Sequence, residues 1–289
     1  MRFGMMLPYD LFADQTLELP RMLLDAFEGE DALFTYLGEN LNAIEISPFG
    51  SLSDGSVLLS AAKQCVRYGL ELTIHGIFKE GECAEKFFAP YLPLFEAGLQ
   101  KSYNITLHPL KKKEDTVLAL TELCDYAEKM DYPITITLEN QRLTSEDSVN
   151  GICQSVGEIV KAVDSRRLFT CFDFGHHLSN KRKNGLEADP LTGEFFQRIG
   201  HTHIHSMYEG TTHFPIDRGE TELEEHLVGL LENEYEGILS LEISFPRFAG
   251  KIDFQEAIIS RNRLRPSGDT GNPNKLGSTA MRVSPNFNR

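Results

Sequence analysis

Two apolar rhythms alternate along the chain. Runs that are continuously apolar or repeat every second residue, the signature of strands, occupy 2–7 (ended by Pro8), 42–47, 70–75, 104–108, 133–139, 168–173, 199–205 and 238–244. Between them, apolar residues recur at helical spacing over 15–39 (interrupted at Pro20 and Gly29), 54–68, 84–100, 114–130, 151–163, part of 186–198, 221–233 and 252–264. Strict strand–helix alternation with short connections implies parallel strands, and eight such units close into a barrel. The expected fold is therefore α/β, a single (β/α)8 TIM barrel over 1–264. A doubly wound open sheet is the second choice, disfavoured because no glycine-rich phosphate loop follows the first strand. Residues 265–289 are basic, rich in Pro, Ser, Gly and Asn and without apolar period, so a flexible or surface-wrapping tail is expected.

Period 2 also sorts each strand into faces. Ile134, Ile136 and Leu138 oppose Thr135, Thr137 and Glu139; Leu239, Leu241 and Ile243 oppose Ser240, Glu242 and Ser244. The same division separates His75, His108, Asp173 and the trio His201, His203, His205 from apolar neighbours. The apolar face must pack on the helices, so the polar face points into the barrel. Such interiors are usually filled by Val, Ile and Leu. Here strands three to eight deliver His75, His108, Glu139, Asp173, His203 and Glu242 near their carboxyl ends, where barrel enzymes keep their chemistry. Burying these groups uncompensated costs several kcal/mol per ion. A bound divalent cation compensates them; a hydrogen-bonded polar plug is the competing explanation. Among the rest, His201 and His205 read as supporting or core histidines, His177 as a surface residue and Glu45 as a strand-end ion pair. His226 reads as a solvated position on a helix face with Glu222 and Leu230.

Composition narrows the partners. At 289 residues the chain suits one barrel, and 41% apolar residues suffice for a large core. No run approaches the roughly 18 apolar residues of a membrane span, and no signal peptide is recognisable, which points to the cytoplasm. The five cysteines, without a CxxC pair, read as reduced core thiols. A net charge of −15 disfavours nucleic acid as a partner, since phosphate backbones call for clustered Lys and Arg. The basic run Lys111-Lys112-Lys113 reads as a solvated helix start. A homo-oligomer is compatible with the sequence.

The motifs Thr-Ile-His75-Gly, Thr-Leu-His108-Pro, Thr-Leu-Glu139-Asn, Phe-Asp173-Phe-Gly-His176, His-Thr-His203-Ile-His and Ser-Leu-Glu242-Ile, with His213-Phe-Pro-Ile-Asp-Arg-Gly219, resemble the xylose-isomerase-like TIM barrels. That family includes sugar and sugar-phosphate isomerases, ketose 3-epimerases, inosose dehydratase and the endonuclease IV type of abasic-site nuclease. The resemblance implies one divalent ion (Mn, Mg, Co or Zn) on Glu139, Asp173, His203 and Glu242 in an isomerase or epimerase. In the nuclease type it implies several zinc ions, adding His75, His108, His176 and His213. There Thr211 stands where the pattern has an aspartate, which leaves a third site short of a ligand.

The leading expectation is a metal-dependent isomerase or epimerase acting on a sugar or sugar phosphate through an enediolate. The resemblance makes Glu139 and Glu242 the proton-transferring pair, has His176 contact a substrate oxygen and lets Arg218 steady a distal hydroxyl or phosphate, unless Arg218 forms a rim salt bridge. The second expectation is a zinc-dependent phosphodiesterase of the endonuclease IV type; the third is a sugar-binding barrel without catalysis.

Overall fold

The computed structural model describes residues 2–47, 55–143, 151–184, 191, 193–244 and 251–264; the 265–289 segment lies outside them. Eight parallel strands close into a barrel: β1 (Arg2–Pro8), β2 (Ala43–Ser47), β3 (Glu71–His75), β4 (Tyr103–Leu107), β5 (Ile134–Glu139), β6 (Leu168–Asp173), β7 (Ile199–Ile204) and, after a short hairpin of β8 (Ser206–Tyr208) and β9 (Thr211–Phe214), β10 (Ile238–Leu241). Closure comes from β1, which pairs with β2 on one side (Gly4 opposite Ala43) and β10 on the other (Arg2 opposite Ile238). The open-sheet alternative is thereby excluded.

The helices pack by their predicted apolar stripes. In α4 (Gly55–Arg67) the buried residues are Leu58, Ala61, Ala62 and Cys65, and in α8 (Cys153–Val163) they are Cys153, Val156, Ile159 and Val160, both at i, i+3, i+4 spacing. These stripes meet the outward strand faces, including Ile44, Ile46, Leu72, Ile74, Ile105, Ile136, Leu138 and Leu239, to form one continuous core. Each such side chain taken from water contributes roughly 1.5–3 kcal/mol. The inward faces are polar: Asn104 donates to Thr106 and Thr137 at 3.2 Å each, and the two threonine hydroxyls lie 3.0 Å apart.

Several elements differ from expectation. The stretch 15–39 forms two helices, Glu18–Ala26 and Glu30–Asn40, because Gly29 at φ 120° breaks the chain between them; Pro20 is tolerated in a first turn, where its missing N–H has no intrahelical partner. The helix after β6 begins at once, at Phe174, and runs to Asn184, before a short helix at Gly193–Gln197. The β8–β9 hairpin was not foreseen, since Glu209-Gly210 with left-handed φ of 47° and 73° is a two-residue turn signal flanked by little apolar alternation. Four of five cysteines are buried and free, but Cys83 is exposed. His226 and His177 are buried rather than at the surface, ringed by Phe172 and, for His226, Phe174. The predicted helix start at Lys113 is observed, with Lys113 paired to Glu158.

Candidate metal and active site

At the carboxyl ends of the strands the polar inward faces converge. Glu139 ends β5, Asp173 ends β6, His203 lies one residue before the end of β7, and Glu242 follows β10 directly with its N–H bonded to the Ile204 carbonyl at 3.1 Å. Their ligand atoms all lie within 4.8 Å of one another. His203 Nδ1 sits 3.3 Å from Glu139, 3.2 Å from Glu242 and 4.0 Å from Asp173. Among the described residues, Glu139 Oε1, Glu242 Oε2 and His203 Nδ1 are buried yet have no hydrogen-bond partner. His203 Nδ1 and Glu242 Oε2 lie 3.2 Å apart and His176 Nδ1 lies 3.2 Å from Glu139 Oε1, so the buried polar atoms converge on one small space whose donor set could hold a cation.

Among the described residues, four further groups of possible ligands overlap or flank this quartet, including Glu45 with His75 and His203, and Glu139 with Cys171 and His203. His75 Nε2 and His108 Nε2 are 2.9 Å apart and lie 3.5 and 3.1 Å from Glu139 Oε2, so two imidazoles share one carboxylate. On the other side His176, His205 and His213 place ring nitrogens within 4.8 Å of one another. Both nitrogens of His205 are engaged, Nε2 with Asp173 at 3.1 Å and Nδ1 with the His213 N–H at 3.0 Å.

Local structure explains the precision. Asp173 accepts the backbone N–H of His176 at 2.6 Å, the bond of a helix N-cap, so one carboxylate ends a strand, starts a helix and faces the site. Asn140 ties β5 to β6 by donating to the Asp173 carbonyl (2.9 Å) and accepting the Asp173 N–H (2.8 Å). Its own carbonyl accepts from His176 Nδ1 at 3.0 Å, which leaves His176 Nε2 as a buried, unpartnered acceptor. Asn140 was quoted in the sequence motif without a role; only the strand register shows that it clamps Asp173. Glu45, expected as a strand-end ion pair, does pair, but with His201 and His203 and as a fully buried carboxylate of β2 inside the barrel. Arg218 stands at the rim, half exposed and paired with Glu256 at 2.7 Å.

Burial opposes ionisation of Glu139 and Glu242, but His203 and their other histidines outweigh it and hold both carboxyls well below the usual range. Asp173 is pushed up to about 7 by burial, reinforced by Glu242 and Glu139 and opposed by His176. Burial would lower His203 as well, yet the anions around it hold it well above the ordinary imidazole value. His75 and His205 go the other way, down to about 4, because burial dominates.

Comparison with known proteins agrees with this architecture. Residues 82–261 match the family described as xylose isomerase-like TIM barrel, and the chain belongs to it. A curated relative, the uncharacterized protein MJ1311 of Methanocaldococcus jannaschii, is 36% identical over 130 residues, spanning 43% of this chain and 41% of the relative's length. Among solved structures, a D-tagatose 3-epimerase-like protein superposes with a TM-score of 0.58 at 23% identity, covering 92% of this chain and all of the other. An L-ribulose 3-epimerase gives 0.54 at 17% identity over 90% of this chain and 92% of its own. A xylose isomerase domain protein from Planctomyces limnophilus gives 0.56 at 15% identity, with 91% and 96% covered.

Proposed function

We propose that the protein is a divalent-metal-dependent isomerase or epimerase acting on a hydroxy-carbonyl sugar or sugar phosphate. The observation that carries this reading is the convergence of Glu139, Asp173, His203 and Glu242 with three of their polar atoms unpartnered. Three carboxylates and one imidazole suit Mn²⁺, Mg²⁺, Co²⁺ or Zn²⁺, hard or borderline cations that take oxygen and nitrogen donors. When bound, such an ion polarises a substrate carbonyl and offsets the negative charge of an enediolate.

The chain's own residues do the rest. Glu139 and Glu242 are held ionised, one at the end of β5 and the other just after β10, on either side of His203. One accepts the carbon-bound proton and the other returns a proton, to the opposite face of that carbon in an epimerase or to the adjacent carbon in an isomerase. Glu139 is wholly buried while the Glu242 side chain is 13% exposed, so Glu242 is the one a substrate in the mouth meets first. The free Nε2 of His176 accepts a substrate hydroxyl. Arg218 would reach a distal hydroxyl or phosphate only by giving up its bond to Glu256.

One observation favours a second reading, metal-dependent phosphodiester hydrolysis. His75 and His108 meet on Glu139 in a cluster that a one-ion isomerase does not need and a two-ion hydrolase does. Elemental mass spectrometry on protein reloaded with Mn²⁺ or Zn²⁺ separates the two. One ion per chain, lost in Glu242→Ala and kept in His75→Ala, supports the isomerase; two or three ions, one of them lost in His75→Ala, shift the assignment to hydrolysis.

A further inference from the structure

We propose that Glu45 is a positioning residue which, with His201 and Ser240, fixes the tautomer and orientation of His203 so that Nδ1 faces the metal quartet. The inference rests on the metal reading above and extends it to the opposite wall of the barrel. Glu45 belongs to β2, between Ala43 and Ser47, and is buried to 1% exposure. A carboxylate in such a place is costly unless donors surround it. Three do: His201 Nε2 at 2.9 Å, His203 Nε2 at 3.0 Å and the Ser240 hydroxyl at 2.9 Å, from the adjacent strands β7 and β10.

The geometry of His203 gives this cluster its purpose. An imidazole binds a metal through one nitrogen while the other carries the proton, and the hydrogen bond at the far nitrogen decides which is which. In His203 the far nitrogen is Nε2, which donates to Glu45, and the near one is Nδ1, 3.2–3.3 Å from Glu242 and Glu139, where a bound cation would take the place of the proton those carboxylates favour. Without an acceptor at Nε2, the tautomer protonated at Nδ1 would become accessible and would close the metal position. His201 and Ser240 keep the acceptor in register: both bond Glu45 Oε2, so its carboxylate cannot rotate away from His203 without breaking two bonds. Toward an ion on the quartet Glu45 acts through His203, whose far nitrogen it bonds; because Glu45, His75 and His203 also come within ligand distance of one another, the stoichiometry measured below separates positioning from ligation.

The test titrates Mn²⁺ into chelator-stripped wild type, Glu45→Gln, Ser240→Ala and His203→Ala by calorimetry, and follows the imidazole protons of Zn²⁺-loaded samples by ¹⁵N NMR. Glu45→Gln should retain full stoichiometry at saturating metal with a Kd about 10–100-fold weaker, and the protected Nε2–H resonance of His203 seen in wild type should be lost. Ser240→Ala should weaken binding by a smaller factor and keep that resonance. A folded Glu45→Gln within twofold of wild type overturns the proposal, and so does loss of the ion at saturation, as in His203→Ala, which would make Glu45 a ligand. Should Glu45→Gln not fold, Ser240→Ala decides: unchanged affinity there also overturns it. A wild type that takes up no ion defeats the metal reading itself, an outcome separable from failure of Glu45 alone.

Discussion

At the scale of single residues, the same side-chain types take opposite electrostatic fates according to what surrounds them. Glu139 touches His75, His108, His176 and His203 and stays ionised although fully buried. Glu139→Gln keeps the volume and removes the base, so the fold should persist while turnover on an identified sugar drops by about 10²–10⁴-fold; near-normal steady-state kinetics would remove Glu139 from the mechanism. For His226 the Glu222 carboxylate raises the pKa, but too weakly to offset burial. Burial, with His177 adding to it, holds its pKa at about 4 against 6.5 for the free imidazole. Between those values the unfolded chain binds the extra proton, so stability falls as pH drops from 6.5 toward 4. His226 alone should lose about 2 kcal/mol of stability between pH 7 and 5. Urea denaturation of wild type and His226→Leu at both pH values checks this: the variant's stability should fall less, and parallel losses would refute the assignment.

At the scale of elements, the junction between β6 and the helix beginning at Phe174 is the tightest point. A Cβ on Gly175 would lie 2.0 Å from His205 Cε1, and His205 in turn holds Asp173. Gly175→Ala should therefore cost about 1–3 kcal/mol and weaken metal binding by displacing His205. Gly157, inside α8, has its nearest neighbour, Phe195, at 3.8 Å, so Gly157→Ala should be neutral or stabilising by about 0.5–1 kcal/mol. Paired denaturation curves test the contrast; equal stabilities for the two variants would mean that the junction relaxes freely. Across the strands the legibility was high, because a half-polar, half-apolar strand can face only one way once helices cover its outside. The faces assigned to Thr106, Thr137, Glu139, His203 and Ser240 are the inward ones: Thr106 bonds Thr137, His203 pairs with Glu139, and His203 and Ser240 both bond Glu45. Helix limits were less legible: Gly29 marked its break, but nothing in the polar run after Asp173 announced an immediate helix. Its cap is the same carboxylate that faces the site, so one residue carried two signals and only one was read.

At the scale of the whole molecule, the quartet is drawn from four strands that meet only when the barrel closes, so cation binding is coupled to the folded state. Metal at about 100 times its Kd should add about 2.7 kcal/mol of stability. For a chain of this size that raises Tm by roughly 4–5 °C, reversed by a chelator. Calorimetry with and without EDTA measures it; a metal-loaded protein whose Tm does not move would place the ion outside the closed barrel. No helix among the described residues is long and apolar enough to cross a membrane, in keeping with the absence of long apolar runs in the sequence.

What the sequence determined by itself was the alternation of elements and the inward face of each strand, because both follow from local periodicity and the need to bury apolar surface. It thereby placed His75, His108, Glu139, Asp173, His203 and Glu242 on inward faces near the strand ends; the choice of Glu139, Asp173, His203 and Glu242 as one metal set came from the family resemblance. What only the tertiary structure decided were the pairings across the barrel: Glu45 of β2 with His201 and His203 of β7, Asn140 with Asp173, His205 with Asp173, and Arg218 with Glu256. Glu45 and His203 are 158 positions apart in the chain. No local rhythm encodes a contact of that separation; it exists because strand register and barrel closure bring the two side chains to one point.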